Sequence, residues 1–188
     1  MGRWEPGAGD RLRAAAMELF VEQGYEQTTV AEIAERAGLT ARTFFRYFAD
    51  KREVLFAGSM ELQDALVAAL ENAPDSATPM EAVGTALDAA ASMLGGRLEF
   101  SRQRHAVIVA NAELRERELI KMAKLSAALA SGLRRRGVTE PEASLAAEVG
   151  IAVFRVAFET WVNGPRTRKL TTTMRDSFAQ VKALATAG

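Results

Sequence analysis

Cysteine is absent from the 188 residues, which removes disulfides, thiolate metal ligands and cysteine nucleophiles together and suits a reducing compartment such as the cytosol. Histidine occurs once, at His105, so there is little from which to build a metal site or a nucleophile with its base. Neither an enzyme nor a cofactor or metal protein is expected. No apolar run approaches the roughly 18 to 20 residues that a membrane span needs. Met1 to Asp10 holds no apolar signal core, so neither export nor membrane insertion is expected. Sustained alternation of apolar and polar residues is missing, and with it the signature of strands. Net charge is also missing: 24 basic residues balance 24 acidic ones, so the whole-chain value points to no polyanionic partner.

What is present is core material. Apolar residues make up 48% and charged residues 26%, near the globular averages, so the chain folds rather than staying disordered. Its length exceeds one typical domain of roughly 100 to 150 residues but is short for two large ones, which suggests a small head on a larger body.

The periodicity is helical throughout. Leu12, Ala15, Ala16, Leu19 and Phe20 form one apolar stripe, and Gly24 follows where a left-handed cap would end that helix. Thr29 and Glu32 make a capping box for a two-turn helix carrying Val30, Ile33, Ala34 and Ala37. After Gly38, Thr40 caps a third helix whose Phe44 and Phe48 pack back on the first two. Asp50 and Glu53 open a long fourth helix through Leu70, ending near Asn72. Thr78, Pro79 and Glu81 start a fifth, closed by Gly95 and Gly96. Further helices are expected over Leu98–Ile108, Glu113–Arg136, from a Thr139/Glu142 cap to Gly164, and over Thr171–Ala187. The fold class is all-α with about nine helices.

The third helix is two-faced. At 100° per residue Arg42, Thr43, Arg46 and Tyr47 fall within a sector of about 140°, with Phe44 and Phe48 opposite. Such a helix can be anchored on one side while the other reads a major groove: arginine is bidentate to guanine, threonine offers a hydroxyl and a methyl, and tyrosine reaches phosphate. From Arg36 to Arg52 the cations Arg36, Arg42, Arg46, Lys51 and Arg52 face only Asp50, so five minus one leaves a local charge of plus four. Thr28 and Thr29 at the start of the second helix and Lys51 at the start of the fourth are placed to hold phosphates.

The run Thr28 to Phe48, TTVAEIAERAGLTARTFFRYF, followed by Lys51-Arg52-Glu53-Val54-Leu55, resembles the N-terminal domain of the TetR family of one-component regulators. The match covers roughly Arg11 to Leu55. The resemblance implies duplex DNA on Thr28, Thr29, Thr40, Ala41, Arg42, Thr43, Phe45, Arg46, Tyr47 and Lys51. The family commonly has tyrosine at the position of Phe45, so the hydroxyl it usually brings to a phosphate is missing there, with Tyr47 as a second source. It also implies a homodimer, a small-molecule pocket in the C-terminal body, and repression relieved by ligand. The variant Thr43 to Phe48, together with Asn111 to Arg115, is similar to an actinobacterial branch that includes mycofactocin-system regulators. On this reading residues 1–56 form a helix-turn-helix DNA-binding domain, and 57–188 a helical bundle for ligand binding and dimerisation.

For that body, Val149, Val153, Val156, Trp161, Phe178 and Val181 on the last two helices are the expected dimer contacts, with filling of the monomer core as the alternative. Phe100, His105, Ile108, Asn111, Met122, Phe154 and Phe158 are the expected lining of a pocket for a largely apolar effector, again set against ordinary packing. Arg97, Arg102 and Arg104 read either as a solvated face or as partners for an acidic group. The competing function is a helical scaffold or lipid-binding bundle that leaves DNA alone, with Arg42, Arg46 and Lys51 incidental.

Overall fold

The computed structural model describes residues 7–186. Residues 1–6, part of the segment read for an export signal, and Ala187 of the expected last helix lie outside these. Among the described residues there are ten helices and no strands: α1 (Ala8–Glu22), α2 (Val30–Arg36), α3 (Ala41–Tyr47), α4 (Lys51–Phe56), α5 (Ser59–Glu71), α6 (Pro79–Leu94), α7 (Leu98–Ala110), α8 (Ala112–Arg135), α9 (Glu142–Asn163) and α10 (Leu170–Thr186). No helix among them is long and apolar enough to cross a membrane.

The start signals work as written for four of these helices. Thr29 and Glu32 close a reciprocal box on α2, Thr78 and Glu81 do the same on α6, Thr40 accepts from the Thr43 amide on α3, and Asp50 accepts from the Arg52 and Glu53 amides on α4. At α9 the expected Thr139/Glu142 cap does not form. Glu142 is already the first helical residue, and the Glu140 carboxylate takes the Ser144 amide instead.

The expected long fourth helix is two helices. Ala57 turns extended and Gly58 takes a φ of 89°, a left-handed value that costs glycine nothing and interrupts the amide-to-carbonyl ladder. The apolar positions Leu55, Leu62, Leu66 and Leu70 keep helical phase across the break, which is why periodicity alone reads straight through it.

The chain divides into two compact units. Among the described residues, the first comprises 7–57 together with 103–116, and the second 58–102 together with 117–186. In the first, Leu12, Ala16, Leu19 and Phe20 of α1 meet Ile33 and Ala34 of α2, Phe44 of α3 and Val54, Leu55 and Phe56 of α4. Val107 and Ile108 of α7 and Leu114 of α8 complete that core. A division at residue 56 assigns these three to the body; their apolar side chains are buried with the N-terminal helices instead.

In the second unit α6 packs on α5, α9 and α10. The buried face of α6 is built largely from alanine, and a Cβ at Gly150 of α9 would stand 2.5 Å from Val83 Cγ1, so the two helices approach to a distance that only a bare backbone permits. Leu62, Leu66 and Leu70 of α5, Leu125, Leu129 and Leu133 of α8, and Phe154 and Trp161 of α9 fill the remainder.

Candidate nucleic-acid interface

The first unit shows which of its surface groups are spent on the fold and which are left to act. Phe44 is fully buried, with the half-buried Phe48 tilted against it at 5.5 Å, so α3 is anchored by its aromatic back, while the Phe45 ring stands edge-on to Phe44 at 5.6 Å from the outer side. Arg42, Phe45, Arg46 and Tyr47 are exposed on its outer side, with Thr43 half-buried. The Arg46 guanidinium lies over the Tyr47 ring at 5.2 Å, and the Tyr47 ring rests on the start of α1, 3.3 Å from where a Cβ at Gly9 would be. Thr40 caps α3, and its hydroxyl shares a hydrogen bond with that of Thr43 at 3.1 Å, with Ala41 half-buried beside them.

The remaining cations of the segment are internally engaged. Arg36 reaches back to α1, donating to Glu22 at 2.8 and 3.0 Å and to Glu18 at 3.4 Å. Hydrogen bonding from Arg36 holds the Glu22 carboxyl below its ordinary value. Arg52 folds onto Asp50 at 2.6 and 3.0 Å and lowers that carboxyl likewise, so the α4 cap stays ionised. Of the cations counted along the sequence, Arg36 and Arg52 are exposed but held in ion pairs, which leaves the exposed pair Arg42 and Arg46 to meet a partner.

Lys51 departs most from the phosphate role read from the sequence. Its Nζ donates to the Tyr25, Thr28 and Glu26 carbonyls at 2.7, 3.1 and 3.2 Å and sits 4.3 Å above the Tyr25 ring. All three ammonium donors are used to hold the α1–α2 loop. Tyr25 is buried beneath it, and burial, with the neighbouring Glu113 carboxylate behind it, pushes the phenol well above its ordinary range. Lys51→Met is therefore expected to lower the stability of the first unit by about 2 kcal/mol, the scale of charged hydrogen bonds. The salt dependence of DNA binding should keep its slope; a slope shallower by about 0.9 would return Lys51 to the phosphates.

Thr28 is also turned inward. It is buried, and its hydroxyl donates to the Gly24 carbonyl at 2.8 Å, leaving no hydroxyl at the surface. Thr29 stays exposed, with both its amide and its hydroxyl donating to Glu32.

The residues expected around an effector fall in different units. His105, Ile108 and Asn111 belong to the first, where Ile108 is core and Asn111 donates to the Val107 carbonyl at 2.7 Å. Phe100, Met122, Phe154 and Phe158 belong to the second; Phe100 is exposed, while Met122 and Phe154 are buried. Phe154, Phe158 and Trp161 stack in sequence at 6.1 and 5.8 Å.

Of the expected dimer contacts, Val153 and Trp161 are buried within the monomer and have no surface left for a partner. They lie on the α9 face that includes Gly150 and Ala157 and is turned inward. Val156 is 51% exposed and Val149 half-buried; with Leu145 at 62% exposed and Ala152 they make an outward stripe along α9. Phe178 and Val181 of α10 are partly buried against the core, Phe178 facing Gly84 in an open groove of about 340 Å³ between α6 and α10.

Two arginines read as possible anion partners prove to be helix caps. Arg102 donates to the Val162 carbonyl at 2.8 Å and to that of Gly164, closing α9; Arg104 donates to the Leu55 carbonyl at 2.6 Å and lies over the Phe56 ring.

The segment that carries α3 and most of the chain after it match known families. Residues 12–57 match the family described as bacterial regulatory proteins, tetR family, and residues 77–185 match the one described as MftR C-terminal domain. The chain belongs to the TetR family. Residues 12–57 thus carry the DNA-binding helix-turn-helix of a family of transcriptional regulators. This TetR-family chain is 45% identical over 80 residues to the HTH-type transcriptional regulator TcmR of Streptomyces glaucescens, covering 43% of the chain and 35% of that protein. It is 29% identical over 106 residues to the fatty acid metabolism regulator protein of Bacillus subtilis, covering 56% of the chain and 52% of that protein. The chain thus spans about a third and about half of these relatives. Among solved structures it is similar to the regulator FadR of Bacillus subtilis in complex with stearoyl-CoA, with a TM-score of 0.60 and 23% identity over 92% of this chain and 96% of that one. At that identity the likeness is one of fold.

Proposed function

We propose that this regulator is a repressor, acting in the cytoplasm, that binds a palindromic DNA operator as a homodimer and is released by a small, largely apolar effector. The observation that carries the reading is the outward pair Arg42 and Arg46 on a helix locked by Phe44, because Arg36, Lys51 and Arg52 are spent on the fold. Palindromy follows from a two-fold dimer, whose half-sites lie about 34 to 36 Å apart or a multiple of that. The outward α9 stripe of Leu145, Val149, Ala152 and Val156 supports the dimer, since a row of apolar side chains on one helix face gains free energy by leaving water. The relative named as a fatty acid metabolism regulator and the neighbour holding stearoyl-CoA make an acyl chain the first effector to try. Such an effector acts only by preferring the DNA-incompetent arrangement of the protein.

The test is selection of bound sequences from a random duplex pool at two salt concentrations. A palindrome whose recovery weakens as salt rises is the expected product. On it, Arg42→Ala and Arg46→Ala should each cost about 1 to 3 kcal/mol and relax preference at one base pair. No enrichment at either salt overturns the reading.

A further inference from the structure

Phe45 has no task in the folded chain that explains its position. It is 58% exposed on the outer side of α3, whereas Phe44 of the same helix is fully buried and the C-cap Phe48 is half-buried. Its ring is nonetheless not free to wander: it stands edge-on to Phe44, interplanar angle 83°, and Phe44 is fixed in the core. A rigid apolar plate is thus held in water beside two arginines. At 100° per residue Phe45 lies about 60° to one side of Arg42 and Arg46 about 40° to the other. Tyr47 falls about 160° away from Phe45, so the phenol and the bare ring serve opposite flanks of the helix.

A phenyl ring neither donates nor accepts a conventional hydrogen bond. Among the base edges of the major groove one group suits it, the C5-methyl of thymine. We propose that Phe45 reads a thymine methyl in each half-site, next to the base pair contacted by Arg42. A tyrosine there would offer its hydroxyl to a phosphate, which carries no sequence information. The phenylalanine converts that flank of α3 from positioning to reading. The inference rests on the DNA-binding reading above, and its test separates the two.

The probe is the operator recovered by selection, bound to the full-length protein. Each thymine is replaced in turn by deoxyuridine, which removes one methyl and leaves pairing intact. One position per half-site should then weaken binding about fourfold, the scale of burying one methyl-sized group. Phe45→Ala, which touches an exposed side chain and should melt like the wild type, should bind the thymine and deoxyuridine operators alike. Phe45→Leu, which keeps apolar bulk, should retain part of the discrimination. Absence of any deoxyuridine-sensitive position, or sensitivity that survives in Phe45→Ala, overturns the inference and leaves the DNA-binding reading standing. Failure to recover any operator overturns both.

Discussion

Replacing Phe44 by alanine is expected to abolish DNA binding by melting the first unit while helices of the second persist. The side chain is fully buried, touches Phe45 and Phe48, and is the one residue of α3 in the core with α1, α2 and α4. Truncating a buried phenylalanine costs about 3 to 5 kcal/mol, a large part of the roughly 5 to 15 kcal/mol that holds a whole domain. Circular dichroism followed with temperature, alongside operator binding, measures both consequences. The expected record is an early partial loss of helix that coincides with loss of binding. A variant that melts and binds as the wild type does would show that α3 is positioned by something other than its aromatic back.

Trp161→Ala should have an effect of similar size, about 3 to 5 kcal/mol, in the second unit. Trp161 is 1% exposed and packed on Phe158, which in turn stacks on Phe154. Its inward position distinguishes it from Val156, which lies earlier on the same helix and on the outward stripe, and the distinction is measurable. A core residue lowers the melting temperature by the same amount in dilute and concentrated protein, whereas loss of an interface residue shifts the temperature in a way that depends on concentration. A Trp161→Ala deficit that grows on dilution would make it a subunit contact.

The parts of the fold legible in the sequence are those decided within one helical turn. Thr29 with Glu32, Thr40 with Thr43, Asp50 with Glu53 and Thr78 with Glu81 are each three residues apart, and each pair acts as local chemistry dictates. The aromatic back of α3 and its basic front follow from angular position alone. What was hidden is the opposite end of the helices. Lys51 holds carbonyls 23 to 26 residues away, Arg104 one 49 away, Arg102 two at 60 and 62, and Arg136 those of Glu71, Ala73 and Pro74, 62 to 65 away. A long cation can serve any carbonyl that the tertiary fold brings near, so its spacing in sequence carries no signal. Counting charge along residues 36–52 therefore overstates what is left to meet a partner, because Arg36, Lys51 and Arg52 are engaged within the fold.

The discontinuous make-up of the first unit bears on how such regulators can be recombined. Residues 7–57 carry every amino acid proposed for the reading face, yet Val107, Ile108 and Leu114 of the same core arrive from a distant part of the chain. A graft of the N-terminal segment alone onto a foreign effector domain would import the specificity and leave one wall of its hydrophobic interior unbuilt. The heritable module thus includes two segments, 7–57 with 103–116, and chimeras between relatives should be cut at both.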